Sequence, residues 1–178
     1  MRQLPWDLNK SLSESLNPWV TLVSTPGIRG ESSQPYFHLQ VPDYVCVLAI
    51  TPEGKVPLVR QYRLPARKST LELPGGLVDP GHTPLLAIHQ ELREEIGGSH
   101  NGRVVTLPPL MVDTGRIENR MHAFIFFDFH PNLDHISEPG ISQVWLTTSE
   151  LKELAFKSEI IHAGHLATIL LASSLGHI

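Results

Sequence analysis

The chain predicts an α+β fold, a mixed β-sheet sandwiched between α-helices. Three observations carry this. Strand-like runs recur: Tyr36 to Gln40 alternates, Tyr44 to Ile50 is almost continuously apolar, and Met121 to Phe129 is strongly β-prone. Two stretches space their apolar residues as a helix does, Leu85-Ile88-Leu92-Ile96 and a C-terminal set from Ile160 to Leu175. Between them, Leu71 to Gly98 is punctuated as strand, turn and helix.

In order, residues 1 to 18 carry Trp6 and scattered leucines without a period, an arm or a ragged end. Trp19 to Val23 is strand-like and Pro26-Gly27 with Gly30 turns it. The strand Tyr44 to Ile50 has the nearly continuous apolar run of a buried strand. Pro52-Glu53-Gly54 makes a hairpin turn into Val56 to Tyr62. Leu71 to Leu73 is a short strand, and Pro74-Gly75-Gly76 a turn that glycine makes cheaply. Thr83 is a fitting N-cap and Pro84 a fitting first residue for a helix over 84–96, which Gly97-Gly98 stops. Asn101-Gly102 turns into a strand at Val104 to Leu107, and Asp113 to Arg120 is a polar loop. Gln143 to Leu146 is the final strand. Thr148 would cap a short helix to about Ala155, and Glu159 to Leu175 would form the last helix.

Length and composition narrow the function classes. The 178 residues read as a single domain, with residues 1–40 as an N-terminal arm and strands able to form a dimer contact. Hydrophobic residues at 41% and charged ones at 18% describe a soluble globular chain. A net charge of −4 without a basic run argues against a nucleic-acid partner. No apolar run approaches the roughly 20 residues that span a bilayer, and no signal-peptide core opens the chain, so no membrane partner is expected. Cys46 sits in VCVLAI and reads as a buried small hydrophobe rather than a nucleophile, which points to a reducing, cytoplasmic setting. His162 and His165 lie i, i+3 without an acidic or cysteine companion in sequence, so no zinc site is expected there.

The candidate chemistry lies on the 84–96 helix. Glu91 and Glu95 are one turn apart, Glu94 joins their flank, and all three border the apolar stripe. Like charges at that spacing repel by a few tenths of a kcal/mol per pair in an isolated helix. Mg²⁺ would reverse that sign, since it takes carboxylate oxygens and keeps waters free for substrate phosphates. A solvated acidic face is the plain alternative.

The same stretch resembles the box of the Nudix hydrolases, Gly-x5-Glu-x7-Arg-Glu-U-x-Glu-Glu-x-Gly-U, with U a bulky aliphatic residue. Gly76, Glu91, Leu92, Glu94, Glu95 and Gly97 occupy box positions. His82, Gln90 and Gly98 depart from it, standing where the box has glutamate, arginine and the last aliphatic. The run Arg60-Gln61-Tyr62-Arg63 is similar to one that precedes the box in members cleaving ADP-ribose and other nucleoside diphosphate sugars, and the likeness extends from about Val41 to Leu171. Thr114 stands where that subgroup usually has proline.

The resemblance implies a Nudix fold and metal-dependent hydrolysis of a diphosphate bond in a nucleoside diphosphate derivative. Glu91 and Glu95 would be the main Mg²⁺ ligands, with Mn²⁺ an alternative. Glu94 would assist, and the carbonyl of Gly76 would complete the shell. Arg60, Arg63 and Arg116 would contact the substrate, since a guanidinium can bond two phosphate oxygens at once. Glu118, with Asp113 behind it, would activate water from the polar loop. Relatives of the nucleotide-sugar type are commonly dimers, which leaves a homodimer open. His82 removes a negative charge from the site and Gln90 removes a charged fork, so a Nudix module that binds a nucleotide sugar or a protein without cleaving is the competing expectation.

Overall fold

The computed structural model describes residues 6–27 and 34–178; the turn expected at Gly30 lies outside them. In chain order the strands are β1 (Leu12–Asn17), β2 (Val20–Thr25), β3 (Tyr36–Gln40), β4 (Tyr44–Ala49), β5 (Lys55–Arg63), β6 (Lys68–Glu72), β7 (Ser99–His100), β8 (Val104–Thr106), β9 (Ile117–Glu118), β10 (Met121–Phe126), β11 (Phe129–His130) and β12 (Ser142–Thr147). The helices are α1 (Pro84–Glu95), α2 (Thr148–Phe156) and α3 (Ala163–Ser174), and a 3-10 turn spans Leu8–Lys10. The chain divides into two compact units, residues 1–43 with 111–120, and residues 44–110 with 121–178.

In the first unit β1-β2-β3-β9 form one sheet, antiparallel except for the parallel β3–β9 pair. Every residue of β1 is exposed, which is why it showed no alternation in the sequence. The Trp6 and Tyr36 rings pack at 5.3 Å between centroids.

The second unit is the predicted sandwich. β4 pairs in parallel with β10, β8 joins β10 antiparallel, and β12-β5-β6 form an antiparallel sheet. Period-2 geometry divides β4 between two cores. Val45, Val47 and Ala49 meet Ala87, Ile88, Leu92 and Ile96 around α1, while Cys46 and Leu48 meet Leu151, Ile160, Ile169 and Ala172 around α2 and α3. Among the described residues no helix is long and apolar enough to cross a membrane.

Local chemistry moves several expected boundaries. The Met121 to Phe129 run breaks after Phe126, with Asp128 in the left-handed region at φ 53°. Thr147, not Thr148, caps α2, because Thr147 and Glu150 form a reciprocal capping box. α3 begins at Ala163 rather than Glu159, capped by the ring of His162, whose Nδ1 accepts from the His165 N–H at 3.3 Å.

Candidate active site

Thr83 opens α1 as expected, accepting from the Leu86 N–H at 3.2 Å, and Gly97 and Gly98 follow its end with φ of 73° and 113°. Which face is buried differs from the expected stripe. Leu85 is 43% exposed, and Ala87, Ile88, Leu92 and Glu95 are buried. At about 100° per residue, Glu95 falls about 20° from Ile88 on the side away from Leu92, and Glu91 about 40° further, so both lie between the buried Ile88 and Ala87. The glutamates therefore lie within the face that α1 turns toward β4, not beside it. Glu95 is 4% exposed.

The glycine turn receives these carboxylates. Gly75 N–H donates to Glu95 Oε2 at 2.9 Å. A Cβ on Gly76 would collide with the Glu91 carboxylate, and one on Gly75 with the Val45 carbonyl, so only a double glycine admits this approach. The Gly76 carbonyl accepts from the Val45 N–H at 2.9 Å, leaving it one further lone pair.

Burial, reinforced by neighbouring acids, raises both glutamates. Burial, then the charges of Glu94, Glu138 and Asp79, pushes Glu91 up to about 7. Burial also pushes Glu95 up to about 8 with help from Glu91 and Glu72, against the Gly75 N–H and the Arg63 charge. Two carboxyls that burial and mutual repulsion keep from ionising, with a carbonyl beside them, fit a hard divalent cation, which would favour their ionised, acceptor-only form. Among the described residues no group of three or more His, Cys, Asp or Glu side chains is arranged as a metal cluster. The fit therefore rests on Glu91, Glu95 and Gly76, with Glu94 exposed next to them.

A further carboxylate, Glu72, ends the strand that leads into the turn. Glu72, 2% exposed, takes Arg63 Nε at 2.9 Å and Nη2 at 2.7 Å on its two oxygens, and Thr70 Oγ1 at 2.6 Å. Burial alone would raise Glu72, but Arg63 and Thr70 hold it down at about 2. His165 from α3 lies 4.0 Å from Glu72, stacks on His162, and accepts the Leu73 N–H into Nδ1 at 3.2 Å. Burial, then His162, holds His165 neutral at about 3.

The NUDIX domain family matches residues 41–167. The chain belongs to the NUDIX domain family. The NUDIX chain is 45% identical over 56 residues to a methanol dehydrogenase activator of Bacillus methanolicus, 32% of this chain and 30% of that one. It is 31% identical over 84 residues to an ADP-ribose pyrophosphatase of Bacillus subtilis (strain 168), 47% of this chain and 45% of that one. These stretches span less than half the length of either relative. A solved structure described as an ADP compounds hydrolase superposes with a TM-score of 0.77, covering 98% of both chains at 18% identity, which shows the shared NUDIX fold.

Within this NUDIX domain the expected residues separate. Gly76, Glu91, Glu94 and Glu95 come together. Arg63 is engaged by Glu72, and Arg60 is exposed on β5. In the first unit Glu118 pairs with His38 at 2.9 Å, and Arg116 lies over the Tyr36 ring at 5.4 Å. Arg116, Tyr36, Phe37 and His38 line a cleft of about 370 Å³ in that unit. The departures leave their own trace: His82 Nδ1 is buried without a partner, and among the described residues no hydrogen bond engages the Gln90 side chain. They cancel in charge, one negative lost at 82 and one positive at 90.

Sequence reading missed Glu72, Asp79 and Glu138, and it named His165 only to set it aside for want of the acidic companion that Glu72 supplies at 4.0 Å. Glu72 stood in the expected strand Leu71 to Leu73, yet only the β5–β6 register puts its face with Arg63. Glu138 had no signal, since the segment before β12 is irregular.

Proposed function

We propose that this NUDIX domain is a pyrophosphohydrolase that cleaves the diphosphate bond of a nucleoside diphosphate derivative, ADP-ribose or a nucleotide sugar, giving a nucleoside monophosphate and a sugar phosphate. The observation that carries the proposal is the pair of half-buried Glu91 and buried Glu95, each raised well above an ordinary carboxylate and gathered at the Gly75-Gly76 turn. The names of the similar proteins, an ADP-ribose pyrophosphatase and an ADP compounds hydrolase, support the same substrate class.

In this reading Glu91, Glu95 and the Gly76 carbonyl hold Mg²⁺ or Mn²⁺, and Glu94 assists. A bound cation supplies neutralisation of the charge that builds on the phosphate oxygens. Arg60 and Arg116 present guanidinium groups to the diphosphate, and Arg63 divides its charge between substrate and Glu72. A carboxylate takes the proton from the attacking water: Glu118 from the polar loop, or Glu138, whose charge is felt at Glu91. Residues 1–178 are read as a single domain, in a reducing cytoplasm that suits the free Cys46. A homodimer through the exposed β1 edge, with Leu12 at 73% and Leu16 at 54% exposure, completes the proposal.

The second reading, a module that binds a nucleotide sugar or a protein without cleaving it, draws on the orphaned His82 Nδ1 and the unengaged Gln90. Steady-state hydrolysis of ADP-ribose and several nucleotide sugars with Mg²⁺ or Mn²⁺ decides between them. Turnover that chelation and Glu91→Gln both abolish supports the enzyme; no turnover on any substrate gives the binding module.

A further inference from the structure

The last turn of α1 ends in an unusual way. A helix leaves its final carbonyls without partners, and the chain that follows usually caps them. Here side chains from a distant segment do so. His135 Nε2 donates to the Glu94 carbonyl at 2.8 Å, and Ser137 Oγ to the Glu95 carbonyl at 2.6 Å. Gln143 Nε2 lies 3.2 Å from the Glu95 carbonyl, 3.1 Å from the Ile96 carbonyl and 3.0 Å from Ser137 Oγ. Three acceptors thus surround an amide nitrogen with two hydrogens. Trp145 Nε1 donates to Gln143 Oε1 at 3.2 Å, which fixes the way the amide faces.

The glycines after α1 make room for this segment. A Cβ on Gly97 would collide with the His135 ring, and one on Gly98 with the His130 carbonyl. Gly98 also sits at φ 113°, closed to an aliphatic side chain. Its departure from the box is therefore the counterpart of the segment that closes on it.

We propose that Gln143 is a positioning residue, a latch that fastens the segment from His130 to Ser142 onto the last turn of α1 and so holds Glu138 beside Glu91. Glu138 directly follows Ser137, which touches the helix at Glu95. The charge of Glu138 is among those that raise Glu91. The latch rests on the functional reading of Glu91 and Glu95, and adds how the acid before β12 is kept in register with them.

Gln143→Glu keeps the side-chain length and the acceptor for Trp145 but loses both donors; Gln143→Lys keeps donors. With Mn²⁺ and ADP-ribose, Q143E should lose about tenfold in kcat or more, with KM within about twofold, since misplacement affects the reacting geometry more than binding. Its Mn²⁺ Kd, measured by calorimetry without substrate, should weaken, and Q143K should recover most of both. In a Glu138→Gln background, Q143E should cost little further, because the latch acts through that residue. Equal activity in Q143E and wild type, or the same loss with Glu138 already removed, overturns the latch. If wild type turns over no substrate, the functional reading falls by itself, and Mn²⁺ affinity decides: an unchanged Kd in Q143E overturns the latch as well. Should Q143E fail to fold, Ser137→Ala, which removes one of the bonds, carries the same comparison.

Discussion

Arg63 grips Glu72 with two nitrogens, at 2.9 and 2.7 Å, although one partner is 44% exposed and the other only 2%. The pair is asymmetric, so its two halves fail differently.

Arg63→Met should destabilise the fold by about 1–3 kcal/mol, because it strands a buried carboxylate whose other close donor is Thr70. The solvent at Arg63 keeps the figure below that of a fully buried pair. Arg60→Met, on an exposed site, should stay within about 0.5 kcal/mol. Urea unfolding measures both. In catalysis the order should reverse in kind, Arg60→Met raising KM while leaving stability intact.

Glu72 has its own pH signature. Its folded value of about 2 lies below the roughly 4.3 of an unfolded glutamate. Its stabilisation is therefore present above about pH 4.3 and lost as pH falls toward 2. Glu72→Gln should flatten that acid limb of the stability curve.

Glu91 and Glu95 have the opposite sign. Their folded values of about 7 and about 8 lie above the unfolded value, so what they contribute is present below about pH 4.3 and lost as pH rises through 7 and 8. Without divalent cations the thermal midpoint should fall across that window. Mg²⁺ or Mn²⁺ should restore it, by relieving repulsion in the folded state alone. An equal cation shift in the doubly substituted Glu91→Gln, Glu95→Gln protein would place the ion elsewhere.

His82→Glu and Gln90→Arg return the two missing box residues. Because the departures cancel in charge, either repair alone adds an uncompensated charge, and the pair together should exceed both singles in kcat and metal affinity. Each tenfold gain corresponds to about 1.4 kcal/mol in the barrier. Steady-state kinetics on the three variants measures it; a double variant no better than either single one refutes the pairing.

His165 should behave as a neutral fixture. Held at about 3, it carries no charge near neutrality, and His165→Leu should cost about 1–3 kcal/mol by leaving the Leu73 N–H unpaired. Because the unfolded histidine titrates near 6.5 while the folded one stays neutral, the wild type loses stability as pH falls from 8 to 6, and the cost of His165→Leu should shrink by about 1 kcal/mol or less across that window in urea titrations.

What the sequence disclosed follows the range of the interaction. Thr83, Pro84, Gly97 and Gly98 bounded α1 correctly, because caps and stops act within a turn. The burial of β4 was visible as a nearly unbroken apolar run, though not its division between two cores. β1 stayed hidden because all its residues are exposed and no alternation marks it. The start of α3 was placed four residues early, since a histidine cap resembles ordinary helix composition. At the site, the carboxylates of α1 were legible from spacing. Glu72 with Arg63, His165 with Leu73, and Gln143 with Ile96 were not, because each needs a strand register or a helix docked from far along the chain.

β4 has a consequence for how the molecule comes into being. Its partner β10 pairs with it in parallel, Tyr44 beside Met121. During synthesis β4 and α1 emerge first, and the acidic helix waits with its apolar face against an incomplete sheet until residues 121–126 arrive. Gln143 comes later still. The carboxylates that define the molecule are thus made early and set in place late, so a nascent chain halted after Gly98 carries the whole acidic motif without the surface that holds it.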